Sequence, residues 1–211
     1  LAPGKAFTEE LLQPLRWIDE IRRAQPPNLG WNQHWPSSCT QFVAGGASET
    51  DLELLHTSEY LHQKLRLARV YFSGFKPVPD TPFENLPAVN PWRQNRLYQA
   101  DFLLRDYGFT IEDLPFSPAG SLPIEIDPKL AWAQANLSHA PVEINHADMH
   151  QLLRIPGIGP RSAKAIIAAR RKNTLRHIED LKAIGVRPTR AAPFILLDGS
   201  PLPRQIPLAD W

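Results

Sequence analysis

A single cysteine, Cys39, stands in a chain of 211 residues, which rules out an intramolecular disulfide framework. Long apolar runs are missing too. No stretch approaches the length that crosses a bilayer as a helix, and no amino-terminal segment has the apolar core of a secretory signal. The cytoplasm is therefore the expected compartment, and no membrane partner is expected. An excess of charge is also lacking, since 23 Lys and Arg meet 22 Asp and Glu for a net +1, a figure that points to no partner by itself. The seven His and the scattered acids show none of the spacings that hold a metal ion. The chain begins at Leu1 without an initiator Met, and the expectation is a carboxy-terminal part of something longer.

Proline is abundant. The 22 prolines concentrate in 76–93, 115–128 and 201–207, which read as extended connectors over a folded body. Between them the patterning is regular. Leu11, Leu12, Leu15, Ile18 and Ile21 recur at helical spacing after Thr8. Thr40–Ala44 reads as a short strand ended by Gly45-Gly46. A helix carrying Leu52, Leu54, Leu55, Tyr60, Leu61 and Leu65 follows Ser48-Glu49-Thr50-Asp51, where Ser48 or Thr50 suits a cap. Ala68–Ser73 is a second strand, which makes a βα unit of a parallel sheet. Two strands are too few for a parallel sheet with its own core. A further helix spans 92–107, with Leu97, Ala100, Leu103, Leu104 and Tyr107 on its apolar face and Arg93, Arg96 and Arg105 elsewhere. Trp31, Trp35 and Trp92 lie among prolines, where packing is a commoner use than base stacking. Glu112 and Asp113 suit the first turn of a helix, where acids complement the dipole.

The most informative segment is 152–167. An apolar helical run is interrupted by Pro156-Gly157-Ile158-Gly159 and restarts at Pro160. Two glycines two apart permit a tight turn without a β-carbon clash, and Pro160 suits the first turn of a new helix. The amides at the start of that helix form an anion site. Gly157, Ile158, Pro160 and Ala163 reappear as Gly185, Val186, Pro188 and Ala191, a constant offset of 28, with Arg187 in the place of Gly159. Residues 141–195 hold ten Lys or Arg against four acids, which leaves this segment at +6 and the rest of the chain at −5. A basic module attached to an acidic body is the natural reading.

This segment, with Val142-Glu143-Ile144-Asn145 and Ala147 ahead of it, resembles the paired helix-hairpin-helix domain of bacterial DNA-uptake and repair proteins. The resemblance implies sequence-independent binding of duplex phosphates by Gly157, Ile158, Gly159, Arg161, Ser162 and Lys164. Arg170, Arg171 and Lys172 would reach a neighbouring phosphate. The alternative use of such a hairpin is packing alone.

A second resemblance concerns Thr40–Asp51, which looks like a late barrel strand of radical S-adenosylmethionine (SAM) enzymes with its glycine turn and Glu-Thr helix start. The runs 96–105, Tyr107-Gly108-Phe109 and Asp127–Trp132 are similar to one branch, the DNA modification/repair radical SAM family whose genes neighbour a uracil-DNA glycosylase. It implies an incomplete (β/α) barrel over 1–80, a Pro-rich helical connector over 81–140, the helix-hairpin-helix domain over 141–195 and a Pro-rich tail over 196–211. The fold class is then α/β plus all-α. It also implies SAM contacts at Gln41, Gly45 and Glu49, and a uracil-DNA-glycosylase-type repair partner. A [4Fe–4S] cluster needs three close cysteine thiolates, and with Cys39 alone this chain cannot perform radical chemistry. Two other readings stand beside this one: a stand-alone DNA-binding or scaffold protein with a vestigial βα unit, and a hairpin used for protein contact.

Overall fold

The computed structural model describes residues 4–24, 36–186 and 188–202. Trp31, Trp35, Arg187 and the tail from 203 onward lie outside them. The described residues are mixed helical, with two small sheets. The chain divides into two compact units, Leu1–Asp101 with Ser117–Leu122, and Phe102–Phe116 with Pro123–Trp211. The sequence-based division at 80 and 140 is not where these units part; residues of the 81–140 connector belong to both.

In the first unit a π-helical turn, Phe7–Leu12, runs into α1 (Gln13–Ala24). Strand β1 (Cys39–Ala44) pairs in parallel with β2 (Arg69–Gly74) through α2 (Asp51–Leu65), with Phe42 opposite Phe72. Alternation explains the strands. Ala44, Val70 and Phe72 turn into the core, whereas Gln41, Val43 and Tyr71 are exposed. Gly45, at φ +89°, turns the chain out of β1, and a β-carbon there would run into Val89. Thr50 and Glu53 close a reciprocal capping box at the start of α2. The carboxylate of Asp51, almost wholly buried, accepts from Arg93 Nε at 2.7 Å and from the Leu122 amide at 2.8 Å. Helix α3 (Pro91–Asp106) brings Leu97 and Ala100 into the core. Arg96, off the apolar face of Leu97 and Ala100 in the sequence pattern, is buried as well, with its guanidinium over the Trp92 ring and a bond to Gln99.

The second unit has a core of its own, including Ala133, Ile144, Leu152, Ile155, Ile158, Ala163, Ile166, Leu181, Ala191 and Phe194. After a short 3₁₀ turn at Ile111–Asp113 comes α4 (Pro128–Asn136), capped by Asp127, with Pro128 in its first turn. Strand β3 (Val142–Glu143) leads to α5 (Met149–Arg154), which Asp148 and Gln151 cap reciprocally. Then follow α6 (Pro160–Arg170) and α7 (Ile178–Ala183). Short 3₁₀ turns at Pro188–Arg190 and Ala192–Phe194 precede β4 (Ile195–Leu197) and β5 (Ser200–Pro201). β4 pairs in parallel with β3 and antiparallel with β5.

The Asn145 side chain ties this unit together by exchanging two 2.9 Å bonds with the backbone of Leu175. Glu143 accepts from the amides of Asn145 and Gly199, so the turn after β4 is fixed to the entry of the hairpin. Burial alone pushes the Glu143 carboxyl up, but these amide bonds outweigh it and hold the group below its ordinary range. Among the described residues, no helix is long and apolar enough to cross a membrane.

Candidate nucleic-acid interface

Helices α5 and α6 meet at a turn whose geometry follows from four residues. The Ile158 amide donates to the Ile155 carbonyl at 3.1 Å, with Pro156 and Gly157 between them and Gly157 at φ +82°. Proline second and a left-handed glycine third define a type II turn. Ile155 and Ile158 point into the core beneath it, so the turn is anchored from below. The chain then reaches Gly159, the N-cap of α6, and Pro160, its first residue.

Gly159 departs from expectation in an informative way. Its backbone is extended, at φ −107° and ψ −179°, a conformation open to any residue. What crowds a side chain is a neighbour: a β-carbon at Gly159 would lie 3.1 Å from the Tyr107 hydroxyl, which would have to give by a few tenths of an ångström. The conformational requirement for glycine belongs to Gly157. The steric requirement belongs to Gly159.

At the start of α6, the Ala163 amide donates to the Gly159 carbonyl at 2.8 Å and is the first to enter the helical ladder. The amides of Gly159, Arg161 and Ser162 have no acceptor among the described residues. Three free N–H groups at the positive end of an 11-residue helix form a cradle for an anion. Arg161 and Lys164 are exposed on the first turn and a half of the same helix, and Arg171 and Lys172 are exposed just past its end. None of the four has an ion-pair partner among the described residues.

Two arginines from the basic segment have internal roles instead. Arg170, expected to reach a phosphate, directs Nη1 at the carbonyls of Ile144 and Ala147, at 2.8 and 2.6 Å. Arg154 is buried, with its guanidinium carbon 4.0 Å from the Phe109 ring centroid and 4.9 Å from that of Trp132. Its Nη2 donates to Asp113 at 2.8 Å, while Nε and Nη1 have no hydrogen-bond partner. Burial would push the Asp113 carboxyl up, but the bonds from Arg154 and Thr110 prevail and hold it below the usual range.

Sequence reading also missed a residue beneath the turn. Lys129, on the first turn of α4, donates Nζ to the Ile158 carbonyl at 2.6 Å and sits 4.6 Å from the centroid of the Tyr107 ring. Burial lowers its pKa to about 7, against the pull of Asp127 upward and with that of Arg190 downward. No local pattern marks such a role, because it depends on a contact 29 residues away.

The second copy of the repeat is a real structural echo with a different closure. Gly185 lies at φ +78°, and Val186 and Ala191 are buried like Ile158 and Ala163. Here, however, the Gly185 amide donates to the Lys182 carbonyl and that of Val186 to the Leu181 carbonyl, which is a Schellman ending of α7. Where α6 follows the first, the described residues show two short 3₁₀ turns, Pro188–Arg190 and Ala192–Phe194.

In the first unit, the three expected cofactor contacts stand on β1 and in the turn after it. Gln41 is exposed on the strand, and Gly45 forms the turn. Both carboxylate oxygens of Glu49 accept backbone amides, from Gly45 and Ala47, so this side chain holds the turn in shape.

Two helices joined by a glycine turn, with amides at the start of the second that have no acceptor among the described residues and a cationic flank, make up a helical hairpin. The sequence agrees with that geometry, since residues 138–186 match the helix-hairpin-helix motif. The carboxy-terminal unit thus contains a helix-hairpin-helix domain. Searches of curated proteins and of solved structures give no match to the chain.

Proposed function

We propose that the helix-hairpin-helix domain binds duplex DNA through its phosphates and without reading bases. The observation that carries this reading is the trio of unpaired amides on Gly159, Arg161 and Ser162 at the start of α6. One phosphate oxygen set accepts these N–H groups, and Arg161 and Lys164 add charge beside it. Arg171 and Lys172, past the end of α6, meet a second phosphate. Gly157 and Ile158 shape and anchor the turn, so their contribution is positional. Duplex binding that weakens steeply with salt and is indifferent to sequence tests the reading.

At a finer level, the domain delivers a radical SAM catalytic barrel to DNA for modification or repair, in company with a uracil-DNA-glycosylase-type protein. Support comes from the spaced runs 40–51, 96–105 and 127–132, and from the parallel β1–α2–β2 unit. In this reading Gln41, Gly45 and Glu49 supply part of a SAM pocket. The residues present do not fit the cluster itself, since Cys39 is the sole thiol where three are needed. The cluster ligands then belong to sequence preceding Leu1. The gene sequence upstream tests this directly: a CxxxCxxC run supports it, and an open reading frame without one removes it. Anaerobic reconstitution of the present chain should yield no stoichiometric iron.

A further inference from the structure

The hairpin turn borders a cavity whose chemistry differs from that of a phosphate track. It measures about 760 Å³ and lies between the carboxy-terminal end of α3 with Tyr107 on one side, and Gly159–Ser162 on the other. Three features of its α3 wall are unusual beside an anion cradle. Phe102 leaves 41% of its surface exposed, although it is a large apolar ring. The Arg105 guanidinium lies 4.8 Å from that ring's centroid and holds it in place. Asp106 adds a carboxylate, which a second phosphate would avoid but which accepts N–H groups readily.

We propose that this cavity receives one unpaired nucleotide base of DNA, stacked on Phe102 and hydrogen-bonded by Asp106, while its phosphate rests on the amides of Arg161 and Ser162. The proposal rests on the DNA reading above and narrows its substrate. A nucleotide is the ligand that presents an anion and a flat, N–H-bearing ring at the two ends of one covalent unit. Every base has a π-face for the phenyl ring, so the pocket selects for an unstacked base and not for a sequence. Each base carries at least one N–H donor on its Watson–Crick edge, free once the base is unpaired, which the Asp106 carboxylate can accept. Tyr107, its hydroxyl close to Gly159, also lines the cavity; burial, with a smaller push from Asp106, raises its pKa, so it remains a neutral donor. Paired DNA keeps its bases in the stack and would fill only the phosphate half of this site.

The test uses the full chain and three fluorescein-labelled ligands: a duplex, the same duplex with one bulged cytidine, and that bulge without its base. Fluorescence anisotropy should give at least about fivefold tighter binding to the bulged cytidine than to the plain duplex, the lower end of what one stacked base contributes. The baseless bulge should bind like the plain duplex. Phe102→Ala should abolish the preference and leave plain-duplex affinity unchanged, and Asp106→Ala should reduce the preference. Equal affinity for all three ligands overturns this proposal while leaving the duplex reading intact. A baseless bulge bound as tightly as the cytidine bulge also overturns it, because bending would then explain the preference. Failure to bind any of the three overturns both.

Discussion

The hydroxyl of Tyr107 stands 3.1 Å from the point that a β-carbon on Gly159 would occupy. Two residues after its left-handed neighbour Gly157, the chain is again glycine for a reason that lies 52 positions away. The two glycines of the hairpin turn should therefore respond differently to substitution. Gly157→Ala forces a β-carbon into φ +82° and should cost roughly 1–2 kcal/mol. Gly159→Ala meets only a hydroxyl that has to give by a few tenths of an ångström, and should cost less. Tyr107→Phe should recover most of that smaller loss and none of the larger. Urea midpoints of the four variants check this, and equal losses at the two glycines would contradict it.

Arg154 shows why a count of basic residues overstates an interface. It lies against the rings of Phe109 and Trp132, which touch each other, with Asp113 as its ion-pair partner. Arg154→Ala should destabilise the protein by about 2 kcal/mol, because it removes a buried guanidinium packed on two rings and leaves the half-buried Asp113 without its ion-pair partner. Asp113→Asn in the same background should add little, since the pair is already broken. The folded-state pKa of Asp113 is depressed, so its contribution is present above the ordinary Asp range and is lost as pH falls through the folded value. DNA affinity measured below the unfolding transition should be unchanged in Arg154→Ala.

Lys129 gives the opposite pH signature. Its folded pKa, about 7, lies below the ordinary 10.5, so between those values the unfolded chain binds more protons than the folded one. Stability from this site should rise as pH increases through 7 and level off near 10. Lys129→Met keeps the chain length of the stem, removes the titration and should flatten the rise in melting temperature between pH 6 and about 9. A melting profile that is the same in parent and variant across that range would show that burial of the ammonium is not costly.

Local features were legible in the sequence where the determinant is local. Strands were expected at 40–44 and 68–73 and form at Cys39–Ala44 and Arg69–Gly74; of the two cap candidates Ser48 and Thr50 it is Thr50 that caps α2, and the Pro156-Gly157 turn forms where adjacent residues put it. The repeat at an offset of 28 was legible as glycine, buried aliphatic and alanine, yet not its two closures, because Schellman and type II endings share a left-handed glycine. Partners across long separations were not legible. The rings against Arg154 and the Ile158 carbonyl that Lys129 reaches lie more than 20 residues away along the chain, and no local pattern announces them. The π-helical turn at Phe7–Leu12 also passed as ordinary helix, since its apolar spacing is nearly the same.

The central claim is that the start of α6 grips a DNA phosphate, and one set of salt titrations tests it most directly. Anisotropy with labelled duplexes of unrelated sequence should show one common affinity, with a log–log salt slope of about −3 to −4 for the four exposed cations Arg161, Lys164, Arg171 and Lys172. Lys164→Ala should reduce the magnitude of that slope by about one. Gly159→Val, placed in the Tyr107→Phe background to give its side chain room, should weaken binding to every duplex alike. If that double variant is folded by circular dichroism and binds duplex as tightly as Tyr107→Phe alone, the hairpin is a packing element and the account is contradicted.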